Sequence, residues 1–126
     1  MPTLFLVMAG GAIGAGARHL TGRATLSLFG AGLPYGTLTV NLAGGLLMGF
    51  LTGLLARWDS AQGETWRMFL GVGILGGFTT FSSFSLDTVL LWQRGEAAWA
   101  LGYVMLSVIG SIAALAAGLF LSRVPA

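Results

Sequence analysis

"ILGGFTTFSSFSLD", Ile74 to Asp87, is the stretch on which the reading of the whole chain turns. It lies inside a long apolar run. Yet the positions from Gly76 to Asp87 hold two glycines, three phenylalanines and the hydroxyl residues Thr79, Thr80, Ser82, Ser83 and Ser85. A glycine in a helix interior costs about 1 kcal/mol relative to alanine. The pair Gly76–Gly77, followed by two threonines, is therefore a weak helix centre. Non-helical backbone at membrane depth survives only when buried in protein or lining water. A break here frees carbonyls, and freed carbonyls facing one another form a hard-oxygen site for a small cation. Beyond the break, Phe81 and Phe84 share a face at i, i+3, while Ser82 and Ser85 share another. One reading is that the two rings pack in the core. The other uses the ring quadrupole, whose positive edge can touch an anion without any fixed charge.

The composition places that stretch in lipid. The chain has 126 residues, 56% hydrophobic and 8% charged, with a mean hydropathy of +0.87. A soluble domain is typically about 25% charged. The runs Met1–Ala17, Ala24–Ala56, Met68–Leu86 and Ala97–Ser122 carry no charge. A helix crossing hydrocarbon needs about 20 apolar residues. Spans are therefore expected near 3–20, 36–56, 67–93 and 97–122, in a single all-α transmembrane domain covering 1–126. Thr21 to Tyr35 contains Gly30, Gly32 and Pro34 and reads as a short interfacial helix and turn. "DSAQGE", Asp59 to Glu64, reads as a loop, and "QRGE", Gln93 to Glu96, as a tight turn. The first span lacks a basic leader and is rich in glycine, so it reads as a retained membrane helix, not a signal peptide.

Several function classes drop out. There is no cysteine, hence no disulfide framework and no thiolate site, and a lone histidine, His19. The nominal pI near 10.0 comes from scattered arginines at the ends of apolar runs, which make no patch for nucleic acid. No nucleophile–base pair and no catalytic carboxylate pair is present, so no enzymatic chemistry is indicated. The first two spans contain no acid, which argues against a proton-coupled carboxylate relay. Asp87 is the sole acid at any depth.

Arginines report orientation. With four spans, one face carries Arg57, Arg67 and Arg123, and the other Arg18, Arg23 and Arg94. With no bias, either something other than arginine orients the chain or it inserts both ways, and dual insertion would allow an antiparallel homodimer. Glycine is abundant, at 21 residues. Gly10 and Gly14 on the first span, and Gly45, Gly49 and Gly53 on the second, form small-residue stripes for close helix packing. On the second span Thr37 and Asn41 are one turn apart. On the fourth, Tyr103, Ser107 and Ser111 form one stripe. An amide in hydrocarbon without a partner costs roughly 4–8 kcal/mol on a cyclohexane scale. The pair and the stripe together suggest a hydrated track or an interhelical network.

"GGFTTFSSFS", with "GTLTVNLAGGLLMG" of the second span and "GGAIGAGAR" of the first, resembles the signature of the Fluc (CrcB-type) fluoride channels. The resemblance covers the whole chain. It implies an integral membrane four-helix subunit with a broken third helix, paired as an antiparallel, dual-topology homodimer with two pores in the bacterial inner membrane. It implies fluoride as the permeant ion and a structural sodium ion at the dimer centre, held by the carbonyls of Gly76 and Thr79. It places Phe81, Phe84 and Asn41 on the anion path, with Thr37, Tyr103, Ser107 and Ser111 continuing the polar track and Arg18 in the vestibule. Asp87 stands where the family leads one to expect glutamate. Two other readings compete. A dual-topology transporter of small molecules or drugs would need a membrane-embedded acid for coupling. A structural membrane adaptor would have no need of a hydroxyl track beside paired phenylalanines.

Overall fold

The computed structural model describes residues 3–57 and 61–123. Asp59 and Ser60 of the expected "DSAQGE" loop lie outside the described residues, and Ala61 already begins a helix. Every element among the described residues is helical. Four segments are long and apolar enough to cross a membrane: Thr3–Phe29, Tyr35–Leu55, Gln62–Gln93 and Ala97–Arg123.

Helix α1 covers Thr3–Phe29 without interruption. The separate interfacial helix expected after residue 20 is therefore its continuation. The reason lies in Thr21 and Thr25, whose hydroxyls donate back to the carbonyls of Ala17 (2.9 Å) and Thr21 (3.0 Å). Polar residues that satisfy themselves on the preceding turn can remain helical. The helix stops at Gly30, whose φ of 82° is open to glycine at little cost. Helix α2 then runs over Tyr35–Leu55.

The third span is composite. Helix α3 (Ala61–Trp66) passes into a π-helical stretch, Arg67–Leu75, and then into α4 (Gly76–Phe78). π-Helical geometry is rare and usually limited to single turns. Here it contains the buried glycines Gly71 and Gly73, which let the widened backbone lie close to its neighbours. Thr79 (φ −81°, ψ 161°) and Thr80 (φ −154°, ψ 121°) are extended, and α5 (Phe81–Gln93) follows. The expected break is present, and it falls at the threonine pair; Gly76 and Gly77 form the last turn before it. The "QRGE" turn is as expected, with Gly95 at φ 79°. Helix α6, Ala97–Arg123, is the last of the described elements.

Two close pairings hold the helices together. Helix α1 packs on the π-helical stretch and α2 on α6. Both rest on absent side chains. A Cβ at Gly10 would lie 2.6 Å from the carbonyl oxygen of Phe69, and one at Gly45 would lie 2.9 Å from that of Ser111. Gly49 meets the carbonyl of Leu115 more closely still. Replacing Gly49 by alanine should destabilise the protein by about 1–3 kcal/mol, the usual cost of overpacking. Gly102→Ala, where nothing lies within 4 Å, should be neutral or stabilise by up to about 1 kcal/mol. Thermal unfolding in detergent checks the pair, and equal effects would refute the packing argument.

A small core of Phe84, Leu91, Ala100 and Tyr103 joins α5 to α6. Elsewhere burial is sparse, at 11% of the most apolar window in α1 and α6 and 22% in the other two spans. So much uncovered apolar surface has to face lipid or a second copy.

Candidate functional site at the helix break

Where a helix stops, its last carbonyls and the next helix's first N–H groups need new partners. At this break the replacements can be followed group by group. The Leu75 carbonyl accepts from both the backbone N–H and the hydroxyl of Thr79, each at 3.0 Å. The Gly77 carbonyl accepts from Arg18 Nε at 3.2 Å. Thr80 caps α5, its hydroxyl accepting from the Ser83 N–H at 3.1 Å. Both backbone groups of Thr80 go to Asn41 of α2. Asn41 Nδ2 donates to the Thr80 carbonyl at 2.9 Å, and the Thr80 N–H donates to Asn41 Oδ1 at 2.8 Å. That reciprocal pair also settles which way the amide points, because a backbone N–H can only donate.

Two expectations are refined here. Asn41 does not project freely into a cavity, since one N–H and one lone pair are committed to Thr80. Arg18, near the end of a first span expected over 3–20, lies well inside the longer α1 (Thr3–Phe29). It sits eleven residues before the end of α1 and reaches the break, midway along the third span. Arginine at such a depth is expensive and is found facing protein or water.

The break lies between two cavities, and Thr80 lines both. The smaller, about 370 Å³, is lined by Asn41, Phe81, Phe84, Ser107 and Ser111, among apolar neighbours. Five of the residues singled out in the sequence thus meet around one space. The larger, about 600 Å³, is lined by Arg18, His19, Arg23, Thr37, Ser83 and Asp87. Thr37 belongs to this side.

Tyr103 lines neither. It is buried against Phe84, with ring centroids 5.3 Å apart, and its hydroxyl donates to Asp87 Oδ2 at 3.2 Å. Asp87 thus has a partner that sequence spacing, sixteen positions away, does not suggest. Ser107 is buried one turn further along α6. Among the described residues its Oγ is the one buried side-chain polar atom without a hydrogen-bond partner. Such groups are rare and call for an explanation. Two neighbours offer one here: the Tyr103 hydroxyl one turn back along α6 and the adjoining cavity.

Phe81 and Phe84 are neighbours, with centroids 5.6 Å apart and rings inclined at 48°. Their environments differ sharply. Phe84 is 9% exposed and Phe81 is 77% exposed. The shared face therefore straddles the edge of the subunit.

The donor set also fits a cation held by backbone oxygen. In an uninterrupted helix the Thr80 N–H would bond the Gly76 carbonyl four residues back. Asn41 takes that N–H instead, and Gly76 lies exposed on the subunit surface.

Residues 5–119 match the model of the family described as CrcB-like protein, Camphor Resistance (CrcB). The chain belongs to the CrcB family. Relatives in that family include the fluoride-specific ion channel FluC of Sphingopyxis alaskensis, 57% identical over 123 residues, covering 98% of this chain and 97% of the relative. The protein of the same name from Caulobacter vibrioides is 53% identical, covering 98% and 97%. That from Paracoccus denitrificans is 51% identical over 125 residues, covering 96% and 94%. The four apolar helices and this kinship make the CrcB-family chain a multi-pass membrane protein of a non-enzymatic family.

Proposed function

We propose that this chain forms a fluoride-selective channel that lets fluoride leave the cell passively across the bacterial inner membrane, as an antiparallel, dual-topology homodimer. The whole chain, residues 1–126, acts as one channel domain. The observation that carries the reading is the cavity where Asn41, Phe81, Phe84, Ser107 and Ser111 converge without a fixed charge. The names of the relatives support it. A path of neutral donors and ring edges can hold an anion firmly enough to admit it and weakly enough to release it.

The residues divide the task. Arg18, in the larger cavity with Thr37, raises the local concentration of anions at the vestibule. The remaining Asn41 N–H and the Ser107 hydroxyl replace water around the ion. Phe81 and Phe84 present ring edges, Ser111 extends the polar lining, and Tyr103 supports Phe84 from outside the cavity. The 77% exposure of Phe81 supports a second copy on that face, because a ring that lines a path has to be closed in. The carbonyls of Gly76 and Thr79 would hold a sodium ion at the dimer centre, and that ion would supply positive charge to fix the two breaks to each other. The membrane potential drives the outward flow, at about 2.3 kcal/mol per charge per 100 mV.

Purified protein in liposomes loaded with fluoride tests this directly. Fluoride should leave on addition of a potassium ionophore, while chloride stays. Retention of fluoride, or equal loss of both anions, would overturn the proposal.

A further inference from the structure

The two hydrogen bonds between Asn41 and Thr80 do more than satisfy a buried amide. They engage both backbone groups of the one residue that lines the cavities on either side of the break. They also come from a different helix. No other side-chain hydrogen bond among the described residues joins α2 to the third span, whereas Arg18 makes the corresponding contact from α1. The geometry has a direct consequence for Gly76. A helix re-forming through Thr79 and Thr80 would need the Thr80 N–H to turn back to the Gly76 carbonyl. Asn41 Oδ1 holds that N–H at 2.8 Å. While it does so, the Gly76 oxygen has no claim from its own chain's Thr80.

From this we infer that Asn41 is a positioning residue: it clamps the extended Thr80 peptide, keeps the third helix broken, and thereby keeps the Gly76 carbonyl available to a cation. Cation binding and the anion path are then coupled through one amide, since the same side chain lines the cavity with Phe81 and Phe84. The part concerning the cation rests on the proposed sodium site; the clamp itself does not. An amide is suited to the task because it offers a donor and an acceptor side by side, matching a peptide's C=O and N–H. Aspartate can accept the N–H but has no donor for the carbonyl. Alanine can do neither, and leaves both Thr80 groups unpaired in a part-buried place, where water has to enter to reach them.

Two measurements on purified protein in detergent decide the matter. The first is amide hydrogen exchange at Thr80. Asn41→Ala should accelerate it by at least ~10-fold, as a native hydrogen bond is replaced by local opening. Asn41→Asp, which keeps the acceptor, should stay close to the parent protein. Unchanged exchange in Asn41→Ala would overturn the clamp. The second is thermal unfolding as a function of sodium, with N-methylglucamine replacing it at constant ionic strength. A ligand that binds the native state raises the midpoint with its concentration. Asn41→Ala should raise the sodium concentration at which the midpoint begins to climb by ~10-fold or more. A merely structural loss would lower the midpoint equally at every sodium concentration, and that result would overturn the coupling. If the parent protein shows no response to sodium at all, the cation site fails, and the coupling with it. The clamp is then judged by the exchange measurement alone.

Discussion

Phe84→Ile should lower fluoride efflux from liposomes by about 100-fold or more, equivalent to roughly 2.7 kcal/mol on the barrier. Phe81→Ile should do the same. The two positions differ in what else they lose, and this makes the comparison informative. Phe84 sits between Phe81 and Tyr103, at 5.6 and 5.3 Å, and aromatic pairs are worth about 0.5–1.5 kcal/mol each beyond area burial. Its replacement should therefore lower the unfolding midpoint as well as the flux. Phe81 is 77% exposed on the subunit, so replacing it should leave the fold of the subunit intact. If the rings only pack, flux should follow stability: Phe84→Ile would suffer and Phe81→Ile would not. If ring edges contact the anion, both variants fail in transport whatever their stability. Undiminished efflux in Phe81→Ile with a folded protein would remove it from the path.

Three arginines added between Asp59 and Glu64 should abolish efflux, to below about a hundredth of the parent rate, unless a copy with the opposite bias is co-expressed. The loops are close to balanced in charge. Arg18 lies at the depth of the break, so it does not belong to either face. Arg23 and Arg94 remain on one side against Arg57, Arg67 and Arg123 on the other. Arg67 is paired with Glu64 at 2.7 Å and Arg94 with Glu96 at 2.9 Å, though acids contribute little to orientation. A difference of one arginine is a weak instruction, and added charge should overwhelm it. Cysteine placed at the C-terminus of this cysteine-free chain should react with impermeant reagent from both sides in the parent and from one side in the variant. Full activity in a variant labelled from one side only would exclude an antiparallel pair.

How far could these features be foreseen? The four spans and the broken third helix follow from charge placement and from the glycine and threonine pairs. The length of α1 does not, because Thr21 and Thr25 read as polar punctuation until their hydroxyls are seen bonding back along the helix. The π-helical stretch is equally hidden; nothing in "RMFLGVGIL" distinguishes it from an ordinary helix with two glycines. At the site, spacing singled out Asn41 with Thr37 and Ser107 and Ser111 with Tyr103, while only the family resemblance put Phe81 and Phe84 on a path; five of these seven meet at one cavity. What spacing could not supply is partners. An asparagine in an apolar span must bond to something, but the choice of Thr80, 39 residues away, depends on how α2 crosses the third span. The same holds for Arg18 with Gly77 and for Tyr103 with Asp87.

The pairing of α2 with α6 places a demand on biosynthesis. Helix α2 ends at Leu55, but the partner for its glycine face is not complete until Arg123. At the usual ~5–20 residues per second of synthesis, the ribosome needs several seconds to cover that interval. During that time Gly45 and Gly49 face lipid or another chain, with their intended neighbours Ser111 and Leu115 not yet made. Helix α1 waits a shorter time, since Phe69 and Gly73 emerge soon after α2. The pairing of α2 with α6 therefore forms only after α6 has been made. A chain cut short near residue 97 would leave the glycine face of α2 in the membrane without its α6 partner.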